Sequence, residues 1–435
     1  MGSGRTREQR PISDSDLPPP PPATPTGTFS SLRIRNYRLF FVGQVVSNVG
    51  TWMNRIAQDW LVFTLTGNNP VALGVAAALQ FAPTLFFSLW AGVWADRMDK
   101  RKMLVVLQSG MAACAVILGL LTVTGWVQIW QVYVLCLVFG CFVAFETPTR
   151  QSFVSEMVGS TQLTNAVALN STSFNLARIV GPAIAGLMIT WVGTGPVFWI
   201  NAVSTIAVIA GLVLMNPAEL HRGPAVKRAK GQLREGLHYV RGRPDLVVIL
   251  TLLFCVSTFA ITFFTTLAVI AANVFHKEAD GYGLLSSALA VGTLAGALLA
   301  ARRSVRGKPK IRMLFISALI FGVLEIAAGL MPTYLTFALA LIPVGGVMMT
   351  FMNVANTSVQ LSVSPEMRGR VMGLYMLVFL GGNPIAGPMT GWMADQFGGR
   401  SPLVIGGAAA VIAAVVCAAV LYSRVRRDRD QPALT

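Results

Sequence analysis

Along this chain, long apolar blocks alternate with short polar turns. Twelve blocks can be counted: near 38–66, 71–95, 103–125, 128–148, 165–192 and 195–215 in the first half, and near 246–275, 283–301, 313–331, 334–356, 369–395 and 402–423 in the second. About twenty helical residues cross a hydrocarbon layer about 30 Å thick, so most blocks are long enough to span one. The stretches between them carry turn chemistry, as in Thr66-Gly67-Asn68-Asn69-Pro70 and Gly193-Thr194-Gly195-Pro196. The pattern predicts an all-α polytopic membrane protein with twelve transmembrane helices.

Composition sharpens that expectation. Of 435 residues, 54% are hydrophobic and only 12% charged, with a mean hydropathy of +0.63. Soluble domains carry about 25% charged residues, so lipid is the main solvent here. The net charge of +16 would suggest a nucleic-acid partner in a soluble protein, but its placement says otherwise. Thirty of the 34 lysines and arginines lie in the tails and at one set of block ends; Lys277 and Arg400 lie at the other, and Arg55 and Arg178 inside blocks. This is the positive-inside pattern, and it predicts cytoplasmic termini and an even number of spans. The five cysteines all fall inside apolar blocks without paired spacing, which reads as packing rather than disulfides or a metal site.

The same pattern divides the chain. Residues 1–35, polar and with an unbroken proline run at 18–22, are expected to be a disordered cytoplasmic tail rather than a signal peptide. A six-helix bundle is expected over 36–215, a cytoplasmic linker over 216–245, a second six-helix bundle over 246–423 and a short tail over 424–435. The second part of the linker, GQLREGLHYVRGRPD, has near-helical amphipathic spacing suited to the membrane surface. One internal echo points to duplication. Gly181-Pro182 is followed by Gly193 and Pro196, and Gly387-Pro388 by Gly399 and Pro402, at identical intervals. The halves read as parallel repeats.

The most distinctive local motif is 92–102, GVWADRMDKRK, a basic turn between the second and third blocks. Gly92, Asp96, Arg97, Lys100 and Arg101 match the loop between helices two and three of the major facilitator superfamily, with Asp99 where that family usually has a second glycine. The run NYRLFFVGQVVSNVGTWMNRIAQDWLVFTLTG resembles the bacterial drug- and siderophore-exporter branch. The resemblance implies the two six-helix parallel repeats of that fold. It also implies a cytoplasmic gate at Asp96 that pairs across the halves near Gly369–Gly373. Glu146 and Arg150, one turn apart, either complete that gate with Lys100 and Arg101 or pair only with each other. Arg178, Gly181, Pro182 and Gly186 resemble the glycine-proline motif of antiporters, although small residues also serve plain helix packing.

Ionisable residues inside hydrocarbon are functional candidates by default. Arg55 and Asp59 lie one turn apart on the first span, with Asp59 about 31 Å along it from Arg38. Asp59 is the expected proton carrier, with Arg55 as its modulator; the alternative is a standing ion pair that makes both residues tolerable in lipid. Glu325, on the ninth span, is expected to hydrogen-bond a neighbouring helix. Phe259, Phe263, Met348 and Met352 lie on spans that line the cavity in the superfamily, where they suit a deformable apolar pocket.

No phosphate-binding loop and no metalloprotease cluster occurs in the sequence, so no enzyme chemistry and no cofactor are expected. The expected function is export of an amphipathic small molecule (drug, antibiotic or siderophore) by alternating access in exchange for protons. It would take place in a bacterial inner membrane and be carried out by a monomer. An importer or facilitator is the alternative, and a non-transporting receptor a third class.

Overall fold

The computed structural model describes residues 27–221, 232–304 and 311–430. Within these, the backbone alone is described for 88, 89, 92, 93, 95, 96, 232, 233, 303, 304, 365 and 424–430. The first half comprises α1 (Arg35–Leu65), α2 (Pro70–Arg97), α3 (Lys100–Val123), α4 (129–158), α5 (160–192) and α6 (Thr194–Val213). A short amphipathic helix, α7 (Gln232–Arg241), leads into the second half. There follow α8 (Pro244–Val274), α9 (Ala279–Ser304), α10 (Ile311–Gly329), α11 (Tyr334–Ser362), α12 (Pro365–Gly381), α13 (Asn383–Phe397) and α14 (Ser401–Asp430). Among the described residues every regular element is helical.

Ten segments are long and apolar enough to cross a membrane, and one of them, Ile129–Val192, crosses twice because it breaks at Gly159. The twelfth crossing is α1. Its hydropathy is lowered by Gln44, Asn48, Asn54, Gln58 and Asp59, all of which are buried against other helices. α12 and α13 together make the eleventh crossing, interrupted at Gly382. Exposed Phe86, Val106, Val203 and Ile412 give the bundles their lipid-facing surface.

The helices start and stop where local chemistry directs. Asn69 caps α2, its side chain accepting from the amides of Val71 (2.8 Å) and Ala72 (3.2 Å), with Pro70 at the first helical position. Asp99 caps α3 by accepting from the Lys102 amide at 3.2 Å. The residue that departs from the family motif is thus the helix cap that ends the turn. α4 runs ten residues past the expected boundary at 148. Its continuation is amphipathic: Phe153 and Met157 pack with Tyr37, Phe40, Leu104 and Leu212, while Glu156 stays polar and bonds Lys100. Hydropathy ends there but the helix does not.

The two halves repeat one packing scheme. α1 packs on α6, α2 on α4 and α3 on α6; in the second half α8 packs on α14, α9 on α11 and α10 on α14. The internal echo in the sequence sits at equivalent corners. Gly193 (φ 80°) ends α5 and Gly398 (φ 88°) ends α13, so the left-handed position in the second copy falls one residue before Gly399. All five cysteines are free.

Part of the expected N-terminal tail is structured. A 3-10 turn, Ser30–Arg33, docks on the start of α5: Ser30 Oγ donates to Gln162 Oε1 at 2.6 Å and the Ser31 amide to Asn165 Oδ1 at 3.1 Å. Residues 1–26 lie outside the described residues.

The corner between α4 and α5 depends on one residue. Gly159 holds φ 67° and ψ −179°, a combination open essentially to glycine alone. Its neighbours are fixed: the His221 amide donates to Glu156 O at 2.7 Å, and Lys100 donates to the Glu156 carboxylate. Gly159→Ala should therefore destabilise the folded protein by about 1–3 kcal/mol. A thermal unfolding curve in detergent should move to lower temperature; an unchanged midpoint would mean that the corner relaxes freely.

Candidate functional site

A polar knot ties the first span to three others. Arg55 Nε donates to Asp59 Oδ2 at 3.0 Å, and a second guanidinium nitrogen donates to Gln80 Oε1 on α2. Tyr282 of α9 donates its hydroxyl to the same Asp59 oxygen at 2.9 Å, with the Phe264 carbonyl of α8 a further acceptor at 3.2 Å. The Arg55 guanidinium lies between the rings of Phe81 (5.5 Å) and Phe264 (5.0 Å). The expected Arg55–Asp59 pair is present, and Tyr282 makes it a contact between the two halves. Tyr282 and Gln80 were missed from sequence. Their only signals were a tyrosine flanked by Gly281 and Gly283, and the one amide side chain in the second apolar block.

Beside the knot a cleft opens between the halves, lined by Trp52, Ile56, Arg178, Pro182, Phe263, Phe264, Ser286, Leu289 and Met348, among others. α8 shapes its wall by departing from regular helix: a wide turn at Val256–Ala260, a non-helical link at Ile261 and Thr262, and a second wide turn at Ile270–Val274. Irregular backbone at membrane depth is tolerated where it borders a cavity rather than lipid. Of the four expected cavity residues, Phe263 and Met348 line this cleft. Phe259 instead packs its backbone on Gly406 of α14, and Met352 packs against the core.

The basic end, carrying the 96–102 turn and the linker, is arranged differently from the expected cluster. Glu146 accepts from Arg150 Nε at 2.8 Å and from Gln108 Nε2 at 3.3 Å. Lys100 turns to Glu156, and Arg101 donates to the carbonyls of Leu212 (2.6 Å) and Val213 (2.7 Å), capping α6. The single charge cluster is thus resolved into three separate contacts within the first half, because α4 continues to Glu156 and offers Lys100 a nearer carboxylate. Arg97 is exposed. Only the backbone is described at Gly92 and Asp96. Gly369 and Gly373, the expected partners across the halves, have no neighbour within 4 Å of a Cβ position among the described residues. Glu325 also departs from expectation: it is fully buried, and neither carboxylate oxygen has a hydrogen-bond partner among the described residues.

At the opposite end the halves meet tightly. A Cβ on Gly186 would lie 2.6 Å from Ala279 O, and one on Gly283 2.3 Å from Pro182 O. The second copy mirrors this: a Cβ on Gly74 would lie 2.3 Å from Gly387 O, and one on Gly391 2.4 Å from Pro70 O. Both glycine-proline segments therefore lie in the seam, α5 against α9 and α13 against α2. Gly181 packs instead on Trp52 and Val49 of α1. Ser287 adds a bond across the seam, donating to Ile179 O at 2.6 Å.

Comparison with known proteins is consistent with this geometry. The family model described as Transmembrane secretion effector matches residues 26–433. The chain belongs to this family, a branch of the major facilitator superfamily. Its relatives include the Staphyloferrin A transporter of Staphylococcus aureus, 28% identical over 66% of this chain and 72% of that one. Macrolide efflux protein A of Streptococcus pyogenes is 23% identical over 89% and 96%, respectively. Multidrug efflux pump Tap of Mycobacterium tuberculosis is 27% identical over 81% and 86%. Among solved structures, a bacterial homologue of the human lysosomal transporter Spinster, inward-facing and occupied, superimposes with a TM-score of 0.70 at 16% identity, covering 94% of this chain and all of that one. An inward-facing bacterial homologue of the iron transporter ferroportin gives 0.70 at 13% identity, over 89% and 98%. This family member is a multi-pass membrane transporter of small molecules with the major facilitator fold.

The seam makes a specific demand. Gly186→Leu cannot be accommodated without separating α5 from α9, so the seam should open. A cysteine at Ser286 should then react with a membrane-impermeant maleimide from the side of the 66–70 turn at least about tenfold faster than in the Gly186 parent, the ratio given by a shift of ~1.4 kcal/mol in the opening equilibrium. Equal labelling rates would mean that the seam does not control access.

Proposed function

We propose that this protein exports an amphipathic small molecule in exchange for protons, with Asp59 as the coupling carboxylate. The observation that carries the reading is the 2.9 Å hydrogen bond from Tyr282 to Asp59, because it joins the Arg55–Asp59 ion pair of α1 to the opposite half at the sealed end. Parting α9 from α1 would withdraw Tyr282 and let water reach Asp59, which then takes a proton from that side. Resealing returns Tyr282 to Asp59, where Arg55 on the same helix already stands, so two donors again need the carboxylate as their acceptor and the proton leaves. Two relatives, Macrolide efflux protein A and Multidrug efflux pump Tap, are efflux proteins by name, which favours export over import.

The basic end is the cytoplasmic one in this reading, supported by the placement of lysine and arginine. The conformation, sealed at the 66–70 and 276–279 turns and with no described neighbour within 4 Å of a Cβ position on Gly369 or Gly373 at the other end, is then inward-facing. Asp96 is retained as the gate residue that would meet the second half when the basic end closes.

In proteoliposomes, a panel of cationic dyes, antibiotics and siderophores identifies a substrate for the wild type. Asp59→Asn should abolish its uphill efflux under a pH gradient while leaving downhill exchange; size-exclusion chromatography checks that the variant is folded. Uphill efflux that survives this substitution moves the carrier elsewhere, with Glu146 the next candidate. Orientation has its own check. A cysteine at His238 should be labelled from the cytoplasm and one at Asn69 from outside, and labelling of both from one side would overturn the assignment.

A further inference from the structure

Two hydrogen-bond donors in the cleft wall, Arg178 and the Trp52 indole, have no acceptor among the described residues. Arg178 makes no hydrogen bond and no ion pair with any described residue; its one recorded contact is the face of Trp52, 5.6 Å away. The indole N–H of Trp52 is buried without a partner, its ring held by Phe174 (5.5 Å) and Phe264 (5.8 Å). The Ser286 hydroxyl is buried in the same wall, next to the Tyr282 hydroxyl. The wall contains no carboxylate, and neighbouring Asp59 is already engaged by Arg55 and Tyr282. An arginine and an indole have no acceptor capacity of their own, so their partner must be an oxygen brought into the cleft, from water or from a ligand. A guanidinium at membrane depth without a counter-charge is also costly to keep, which makes it a functional candidate.

We propose that the cleft binds an amphipathic organic anion. Its anionic oxygens lie on Arg178 and are completed by the Trp52 N–H and the Ser286 hydroxyl, and its apolar body lies against Phe264, Leu289 and Met348. This rests on the transporter reading and names the substrate class of the same site. Arg178 and Trp52 belong to the first half and Ser286 to the second, so the anion is held by both sides of the cleft beneath the glycine seam. The anion is either the carboxylate of a free organic acid or the headgroup of an anionic lipid; Arg178 recognises the two in the same way.

The test is calorimetric titration of the purified full chain in neutral detergent with three probes that share one aromatic body: 2-naphthoate, 2-naphthylmethanol and 2-naphthylmethylamine. Naphthoate should bind at least about tenfold more tightly than the alcohol, the range of one charge-assisted hydrogen bond, and the amine most weakly. Arg178→Gln should bring naphthoate to the level of the alcohol, and Arg178→Lys should keep part of the preference, which guards against a folding defect. Equal affinity for the three probes, no binding of naphthoate, or a preference that survives Arg178→Gln would each overturn the proposal. Displacement of naphthoate by phosphatidylglycerol but not phosphatidylcholine assigns the site to a lipid headgroup; no displacement assigns it to free organic acids. A cationic dye exported equally by wild type and Arg178→Gln, with naphthoate unbound, sinks the anion site and leaves the transporter reading standing.

Discussion

Two opposite charges cannot stand apart in a hydrocarbon layer, and the centre of this molecule is built around that constraint. Arg55 and Asp59 neutralise one another one turn apart, but each has hydrogen-bonding capacity left over, and the surrounding helices supply it. Gln80 reaches in from α2, Tyr282 from α9, and the rings of Phe81 and Phe264 cover the guanidinium. Removing one member of such a buried pair leaves an uncompensated charge, at a cost of about 3–5 kcal/mol. The pair therefore orders the helices around it. Because Tyr282 comes from the other half, the same interaction responds to whether the halves are together.

The seam beside it responds in an all-or-none way. Backbone meets backbone at Gly186 and Gly283, and again at Gly74 and Gly391, with no side chain between to absorb a partial shift. Packed surfaces of this kind are bistable rather than continuously deformable. The two contacts are copies of one another, each placing a glycine-proline helix against the first turns of a span from the opposite half. Duplication thus provides a hinge line with the same mechanics on both sides of the cleft. The antiporter-like motif is, in physical terms, part of the surface that lets the seam close.

Much of this was legible in the sequence, for reasons that also mark where legibility stops. Hydropathy is a local quantity, so the spans could be read directly. The Arg55–Asp59 pair was legible because helical spacing alone puts the two within reach. Contacts between distant segments were not. Lys100 was expected near Glu146 and found Glu156, since hydropathy could not show that α4 continues past 148 on an amphipathic face. Tyr282 was invisible because nothing in its neighbourhood points 223 residues back to Asp59. Phe259 lies outside the cleft lining for a related reason. A broken helix does not keep a single facing side, and the wide turns of α8 were not written in its apolar run.

Although the halves repeat in fold, they divide in chemistry. The buried amide side chains, among them Gln44, Asn48, Gln58, Gln80, Gln108, Gln162 and Asn201, all belong to the first half; in the second, apart from Glu325, the buried polar groups are hydroxyls. An amide has more hydrogen-bonding capacity than its own helix can satisfy, so it binds helix to helix, as Gln44, Asn48 and Ser173 do in sequence. A serine or threonine can instead turn back on its own helix, as Ser257, Thr266, Thr293 and Ser317 do, which leaves neighbouring helices unattached and bends the one it sits on. Both interrupted spans, at Ile261 and at Gly382, lie in that second half. The first half is therefore cross-braced and carries the fixed charges, Arg55, Asp59 and Arg178. The second contributes apolar surface and backbone that can rearrange around whatever those charges hold.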